Sequence, residues 1–249
     1  MFKVTVATAI AVLLIAPVQA QESFVDFSQP SYALGSLDGQ SGGGVSWQMW
    51  EDGSDAFVAV PGYDDDQSGR WDVKDLGLDS DGDDMVGSFD NGQASMFSVS
   101  AMSFVHMEAN RPNGTSRSAH VFVSDVDFFG TAFTWLDNGN VGYWGGGGHY
   151  INDTGVPIIY DQWISFGLDV DYANNQVTVF YNGAQVAQDT LTGVGSGYAT
   201  QLDIWLDTVA LADNPSPSDY IQLDNIHITP EPASLSLLAL GAVALLRRR

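Results

Sequence analysis

The stretch from Trp163 to Val186, WISFGLDVDYANNQVTVFYNGAQV, limits what this chain can fold into more than any other. Its first run sets Ile164, Phe166, Leu168, Val170 and Tyr172 on one side and Ser165, Gly167, Asp169 and Asp171 on the other. That period of two belongs to a β-strand buried on one face. Ala173-Asn174-Asn175-Gln176 breaks the alternation, and asparagine tolerates the left-handed backbone of a tight turn. Val177, Val179 and Tyr181 resume it as far as Asn182-Gly183, a pair suited to the type I′ hairpin turn, in which both central residues take positive φ. Ala184 to Ala187 returns as a third strand. Three antiparallel strands with one apolar face cannot bury that face alone, so a second sheet has to cover it.

The same alternation recurs along the chain. Phe24, Val25 and Phe27 form a short opening strand, and Val45–Trp50 and Ala56–Val60 read as a hairpin around Glu51-Asp52-Gly53. Met96–Met107 is a long strand with Phe97, Val99, Ala101, Ser103 and Val105 in phase. Ala119, Val121 and Val123 continue the sheet, followed by Phe128–Trp135, a turn at Asp137–Asn140 and a strand at Val141–Trp144. In Tyr220–Ile228 the phase changes between Ile221/Leu223 and Ile226/Ile228, which predicts a bulge near Asp224-Asn225. The glycine-rich segment Gln40–Gly44 lacks the lysine and following helix of a phosphate loop and reads as a flexible turn. No amphipathic helix appears between the two ends, so about a dozen strands in two sheets are expected. Cysteine is absent, which excludes disulfides, thiolate metal sites and a cysteine nucleophile.

Trp163 opening a strand, Val170-Asp171 closing it, a short turn and then V-T-V-F-Y-N-G resemble the laminin-G-like, concanavalin A-like jelly roll. The resemblance implies an all-β, two-sheet antiparallel jelly-roll sandwich over residues 21–229, with its first strand paired to its last.

Both ends read as addresses. Lys3, the apolar run Val4–Ala16 and Val18-Gln19-Ala20 make residues 1–20 a secretory signal helix cleaved after Ala20. At the other end Pro230-Glu231-Pro232 precedes the apolar run Ala233–Leu246 and Arg247-Arg248-Arg249. That run is short for a bilayer span, and the arginines hold its end on the cytoplasmic side. The order Pro-Glu-Pro, short hydrophobic helix, basic cluster resembles the PEP-CTERM sorting signal of Gram-negative bacteria, here over residues 230–249. The resemblance implies signal peptidase and an exosortase-type enzyme as processing partners. It also implies a transient inner-membrane anchor, and a destination at the cell surface or in the extracellular matrix.

The formal charge of −23 excludes nucleic acid as a partner and disfavours anionic surfaces. Between the ends the only basic residues are Arg70, Lys74, Arg111 and Arg117. Glycosidases need two carboxylates at set separations, yet Glu22, Glu51, Glu108 and Glu231 are scattered. Asp169 and Asp171 share a face but sit at a strand end, where solvated carboxylates are ordinary. No Gln-x-His of the kind found in lyases of similar fold occurs, and His106, His120, His149 and His227 lack zinc-ligand spacing. No catalytic residue is therefore assigned. Asp79, Asp81 and Asp83 offer the oxygen ligands that calcium prefers, although Asp84 stands where an EF-hand loop requires glycine. Tyr143 and Trp144, then Gly145–Gly148, then His149 and Tyr150 could form a ligand shelf, while Trp163, Phe166 and Trp205 read as core or sheet-edge residues.

These features point to an exported, non-catalytic sandwich that binds extracellular polysaccharide or another matrix component. A polysaccharide-cleaving enzyme with an atypical site, and a purely structural matrix protein, are the alternatives. If the N-terminal reading holds, sequencing of the exported protein should begin at Gln21; an intact Met1 end would contradict it.

Overall fold

The structure is a computed structural model. It describes residues 21–28, 30–50, 56–63, 67–72, 84–90, 92–106, 117–125, 129–136, 138–145, 150–191, 195–208 and 220–230. No helix occurs among the described residues, so none there could cross a membrane. The expected signal helix and C-terminal hydrophobic helix lie outside them.

The described strands form two wholly antiparallel sheets. The first runs in the order β15 (Ala184–Thr190), β14 (Gln176–Tyr181), β13 (Trp163–Asp171), β8 (Met96–His106), β17 (Tyr220–Pro230), β6 (Ser68–Asp72), β5 (Phe57–Ala59) and β2 (Gly35–Ser36). The opening strand β1 (Ser23–Val25) also pairs with β17, as the jelly-roll resemblance implies. The second runs β12 (Tyr150–Pro157), β11 (Asn140–Gly145), β10 (Gly130–Trp135), β9 (Arg117–Ser124), β16 (Gln201–Thr208), β7 (Asp84–Phe89), β4 (Val45–Met49) and β3 (Ser41–Gly42).

The meander behaves as its alternation dictates. Phe166, Leu168, Val170, Tyr172, Val177, Val179 and Tyr181 are all buried. Asn182 and Gly183 take φ of 50° and 73°, the type I′ signature. The predicted bulge is present as well: the register of β17 against β8 shifts between Asp224 and His227, and Asn225 has φ 50°. Ile221, Leu223, Ile226 and Ile228 can therefore all reach the core. Where the sheets meet, Phe133 of β10 lies 4.7 Å from Phe166 of β13 between ring centroids, with Trp135 and Tyr181 beside them. A second aromatic knot joins Phe27, Tyr32, Trp47 and Trp71. Within it Trp47 Nε1 donates to Tyr32 Oη at 3.2 Å, and that hydroxyl donates to the Gly42 carbonyl at 3.0 Å.

Four expectations need correction. Val45–Trp50 and Ala56–Val60 are not a hairpin, because β4 pairs with β3 and β7 in one sheet and β5 pairs with β2 and β6 in the other. Both segments alternate, but alternation cannot say which neighbour a strand takes. The Gln40–Gly44 segment is a turn only at Gly43-Gly44, with φ of 58° and 85°; Ser41-Gly42 form β3, and a Cβ on Gly43 would stand 1.7 Å from the Phe24 carbonyl oxygen. The strand expected from Phe128 starts at Gly130. The last strand runs to Pro230, which pairs with Phe97, rather than ending at Thr229.

Gly183 has open space around its missing Cβ, so Gly183→Ala tests backbone conformation alone. The left-handed geometry costs an L-residue about 1–2 kcal/mol. For a domain of this size that is a drop in Tm of roughly 2–8 °C, measurable by calorimetry.

Candidate functional site

In the eight-stranded sheet one set of residues on each strand is committed to the core, which turns the alternate set outward. On β9 Ala119, Val121 and Val123 enter the core, and His120 and Phe122 face the other way. On β16 Leu202, Ile204 and Leu206 go inward, leaving Gln201, Asp203 and Trp205 outside. Val141 and Tyr143 of β11 pack on the core and Trp144 faces outward. On β7 Met85 and Phe89 are core residues, while Asp84 and Val86 are not.

Cross-strand register gathers the outward side chains. His120 stands opposite both Thr134 and Trp205, and Asp84 is opposite Trp205 on its other side. Four rings form one cluster. His120 stacks on Trp205 with centroids 4.6 Å apart, and Trp144 meets Phe122 at 5.2 Å, Trp205 at 5.7 Å and His120 at 5.8 Å. Phe122 and His120 form a buried floor, and the two tryptophans are only partly buried. At the margins of this face lie Ile151, across from Trp144, and Trp50, whose amide donates to the Asp84 carbonyl. They are 43% and 48% exposed, so the cluster opens to solvent at both sides.

Beside the rings, Asp203 is buried and its carboxyl is hydrogen-bonded to that of Asp84. Burial, then the charge and hydrogen bond of Asp84, push the Asp203 carboxyl up to about 9. At neutral pH Asp203 therefore keeps its proton and can donate it to the Asp84 carboxyl. Its Oδ1 is shielded from water with no hydrogen-bond partner among the described residues. Burial pushes His120 down to about 3, so the imidazole is neutral, with Nδ1 3.1 Å from Thr134 Oγ1. A desolvated carboxyl pair beside a neutral imidazole costs stability, and such arrangements concentrate at functional sites.

The structure separates several residues that sequence reasoning grouped. Tyr143 and Trp144 are strand neighbours and point to opposite faces; Tyr143 reaches inward and donates its hydroxyl to Asp189 at 3.1 Å. They cannot share one shelf. Tyr150 opens β12 opposite Gly145, and its side chain lies outside the described residues, as does all of His149. Asp79, Asp81 and Asp83 are also outside; among the described residues no group of three or more His, Cys, Asp or Glu could hold a metal. Of the sorting motif only Pro230 is described, leaving Glu231, Pro232, Arg247, Arg248 and Arg249 outside together with Ala20.

Trp205 and Trp163, read as core or edge residues, both face outward, because each falls out of phase with the buried set of its strand. Asp169 accepts from Ser98 at 2.5 Å, and Asp171 accepts from the amide and side chain of Asn174. The hollow beside them holds about 150 Å³, below the roughly 300–1,000 Å³ of ligand pockets. His120, Phe122, Asp84 and Asp203 were missed. The available signal was an aromatic or acidic residue in the polar phase of an otherwise regular strand.

Comparison with known proteins bears on the C-terminus and on the fold. The PEP-CTERM protein-sorting motif matches residues 229–249. The chain carries a PEP-CTERM motif. That motif implies exosortase-type processing, export and sorting to the cell envelope or surface in Gram-negative bacteria. By sequence, no curated protein matches the chain.

By structure the chain is similar to a sialidase, with TM-score 0.56, 12% identity, and coverage of 86% of this chain and 19% of that one. It is similar to a mutant of the alginate lyase Aly36B in complex with alginate tetrasaccharide, with TM-score 0.54, 13% identity, and 86% and 98% coverage. It is also similar to the botulinum neurotoxin serotype D ligand binding domain in complex with N-acetylneuraminic acid, with TM-score 0.50, 12% identity, and 84% and 47% coverage. The chain thus spans 19% of the sialidase chain, and identities this low show the fold alone. The expected β-sandwich of jelly-roll type is borne out.

The two perturbed groups set opposite arms of a pH–stability curve. Asp203 is protonated in the fold but ionised in the unfolded chain from its ordinary 3.8 up to about 9, so stability falls as pH rises through that range. His120 is neutral in the fold but protonated in the unfolded chain below 6.5, so stability falls as pH drops from 6.5 towards about 3. Asp203→Asn keeps a donor for Asp84 and removes the first effect. It should raise Tm at pH 8 by at least about 2–4 °C, the equivalent of about 1 kcal/mol, with a smaller gain at pH 5. Equal gains at both pH values in calorimetry would contradict a protonated Asp203.

Proposed function

We propose that the protein is an exported, non-catalytic glycan-binding sandwich that holds polysaccharide of the extracellular matrix on the outer face of its eight-stranded sheet. The observation carrying this reading is the cluster of His120, Phe122, Trp144 and Trp205, with Trp50 and Ile151 at the margins of the same face. A sugar ring presents C–H groups on its faces and hydroxyls around its rim. Partly buried indole rings beside carboxyl oxygens suit that division, since aromatic side chains combine apolar area with defined geometry. The charge of −23 favours a neutral glycan over a polyuronate. The PEP-CTERM motif supports delivery to the cell surface or matrix through a transient inner-membrane intermediate. Calcium on Asp79, Asp81 and Asp83 belongs to this proposal as a structural ion, tested by adding a chelator.

A second reading, a polysaccharide-cleaving enzyme, draws on the protonated Asp203 beside Asp84 and on the fold shared with alginate lyases. The carboxyls are in direct hydrogen-bond contact, whereas glycoside hydrolysis separates them by about 5–5.5 Å or 6.5–9.5 Å. That spacing favours binding over hydrolysis.

Binding to an array of neutral and anionic glycans separates the readings. The expected result is retention of neutral polysaccharide without release of reducing ends or unsaturated sugars. Trp144→Ala and Trp205→Ala should each weaken binding about tenfold or more, near 1.4 kcal/mol. Cleavage products abolished by Asp84→Asn or Asp203→Asn would establish the enzymatic reading instead.

A further inference from the structure

The outer face of the nine-stranded sheet carries a second aromatic surface that the proposed function does not use. It arises from the same phase rule. With Val105 and Ser103 of β8 buried, Phe104 and His106 turn outward. With Phe166 and Leu168 of β13 in the core and Ile221 and Leu223 of β17 likewise, Trp163 and Tyr220 turn outward too. Register places Trp163 opposite Phe104 and Tyr220 opposite His106. Tyr63, from the segment joining β5 to β6, meets Trp163 at 5.9 Å between centroids, and Trp163 meets Phe104 at 5.6 Å. Phe104 lies 6.2 Å from Tyr220 at an interplanar angle of 9°, and Tyr220 lies 5.1 Å from His106. The Arg70 guanidinium sits 3.9 Å over the Tyr220 ring. These rings form a continuous row across β13, β8 and β17. Tyr63 is 42% exposed, and Phe104, Trp163 and Tyr220 are only partly buried.

The charge on this face narrows what could lie on it. Asp72 Oδ1 is 2.7 Å from Arg70, and Asp161 Oδ1 is 2.6 Å from His106 Nδ1. These two carboxylates are thus locally partnered, and a third beside the row, Asp224, is buried and accepts from the Tyr63 and Asn225 amides, although the chain as a whole carries −23. A polyanion would enter the field of that net charge, and a second copy of the chain would bring the same charge again. A neutral chain of sugar rings meets neither penalty. Its C–H faces can lie on the rings, while Asp161, 60% exposed at its side chain, can accept from hydroxyls at the rim.

We propose that this row is a second glycan-binding surface for a neutral polysaccharide strand, so that the protein bridges two strands through opposite faces of one sandwich. The inference rests on the reading of the eight-stranded face as a glycan site. The two surfaces lie on the outer sides of sheets packed about 10 Å apart, so one straight strand cannot occupy both. Two weak sites on one rigid body hold a network far more firmly than either alone.

The test uses the exported protein. Calorimetric titration with soluble neutral oligosaccharides (cello-, xylo-, manno- and β-1,3-gluco-series) reads the number of sites, and turbidity with the matching polysaccharides reads bridging. The expected result is two sites per chain. Trp163→Ala should remove one and Trp205→Ala the other, each variant still binding polysaccharide but losing turbidity at least tenfold. Tyr63→Ala, at an exposed position, should weaken the same site as Trp163→Ala and guards against a folding defect in the tryptophan variant. A single site left unchanged by both Trp163→Ala and Tyr63→Ala overturns the second surface and leaves the eight-stranded reading standing. Binding abolished by Trp163→Ala but spared by Trp205→Ala sinks the eight-stranded reading and bridging with it. A dimer seen by light scattering that Tyr63→Ala dissolves would assign the row to a second copy and also overturn the proposal.

Discussion

Phe133 and Phe166, 4.7 Å apart, mark the plane where the two sheets press together, and the rest of the molecule follows from keeping that layer dry and filled. Among the described residues each sheet's apolar face is covered by the other sheet, and no disulfide shares the task. Each strand must therefore commit one alternate set of residues to the interior. The set so committed is strict: on β8 Phe97, Val99, Ala101, Ser103 and Val105 are all buried. Where the phase would fail, the chain corrects it, as the bulge with left-handed Asn225 does for β17.

The commitment of one set decides the fate of the other. An aromatic residue falling between two core residues on a regular strand has no route inward. Trp144, Phe122 and Trp205 gather outside one sheet for this reason, and Phe104, Trp163 and Tyr220 outside the other. The two gatherings differ in character. On the eight-stranded face His120 and Asp203 are desolvated and held in their neutral forms, so the rings lie over a low-charge floor. On the nine-stranded face Arg70 lies against Asp72 and His106 against Asp161, all within reach of solvent.

Much of this was readable in advance, and the parts that were not share a cause. The meander around Asn182-Gly183, the long strand β8, the pairing of first strand with last and the bulge at Asp224-Asn225 depend on local alternation, turn chemistry or a recognised pattern. Val45–Trp50 and Ala56–Val60 are neighbours in sequence but belong to different sheets, a choice of partner that local alternation does not encode. Tyr143 and Trp144 are consecutive on one strand, so alternation turns them to opposite faces and no shelf can join them. Trp205, read as a core or sheet-edge residue, lies on the outer face, as its phase against Leu202, Ile204 and Leu206 requires.

By itself, then, the sequence determined the alternation that sets which residues of each strand face inward, where the tight turns fall and the sorting motif that follows the domain. These are properties of a few consecutive residues and of a backbone that turns its side chains through alternate faces. Only the tertiary structure decided lateral order. That β9 lies between β10 and β16, and β16 between β9 and β7, brings Asp84 against Asp203 and Trp144 against Trp205. Side-by-side placement is settled by the summed burial of the whole sandwich, to which every strand contributes and which no single segment encodes.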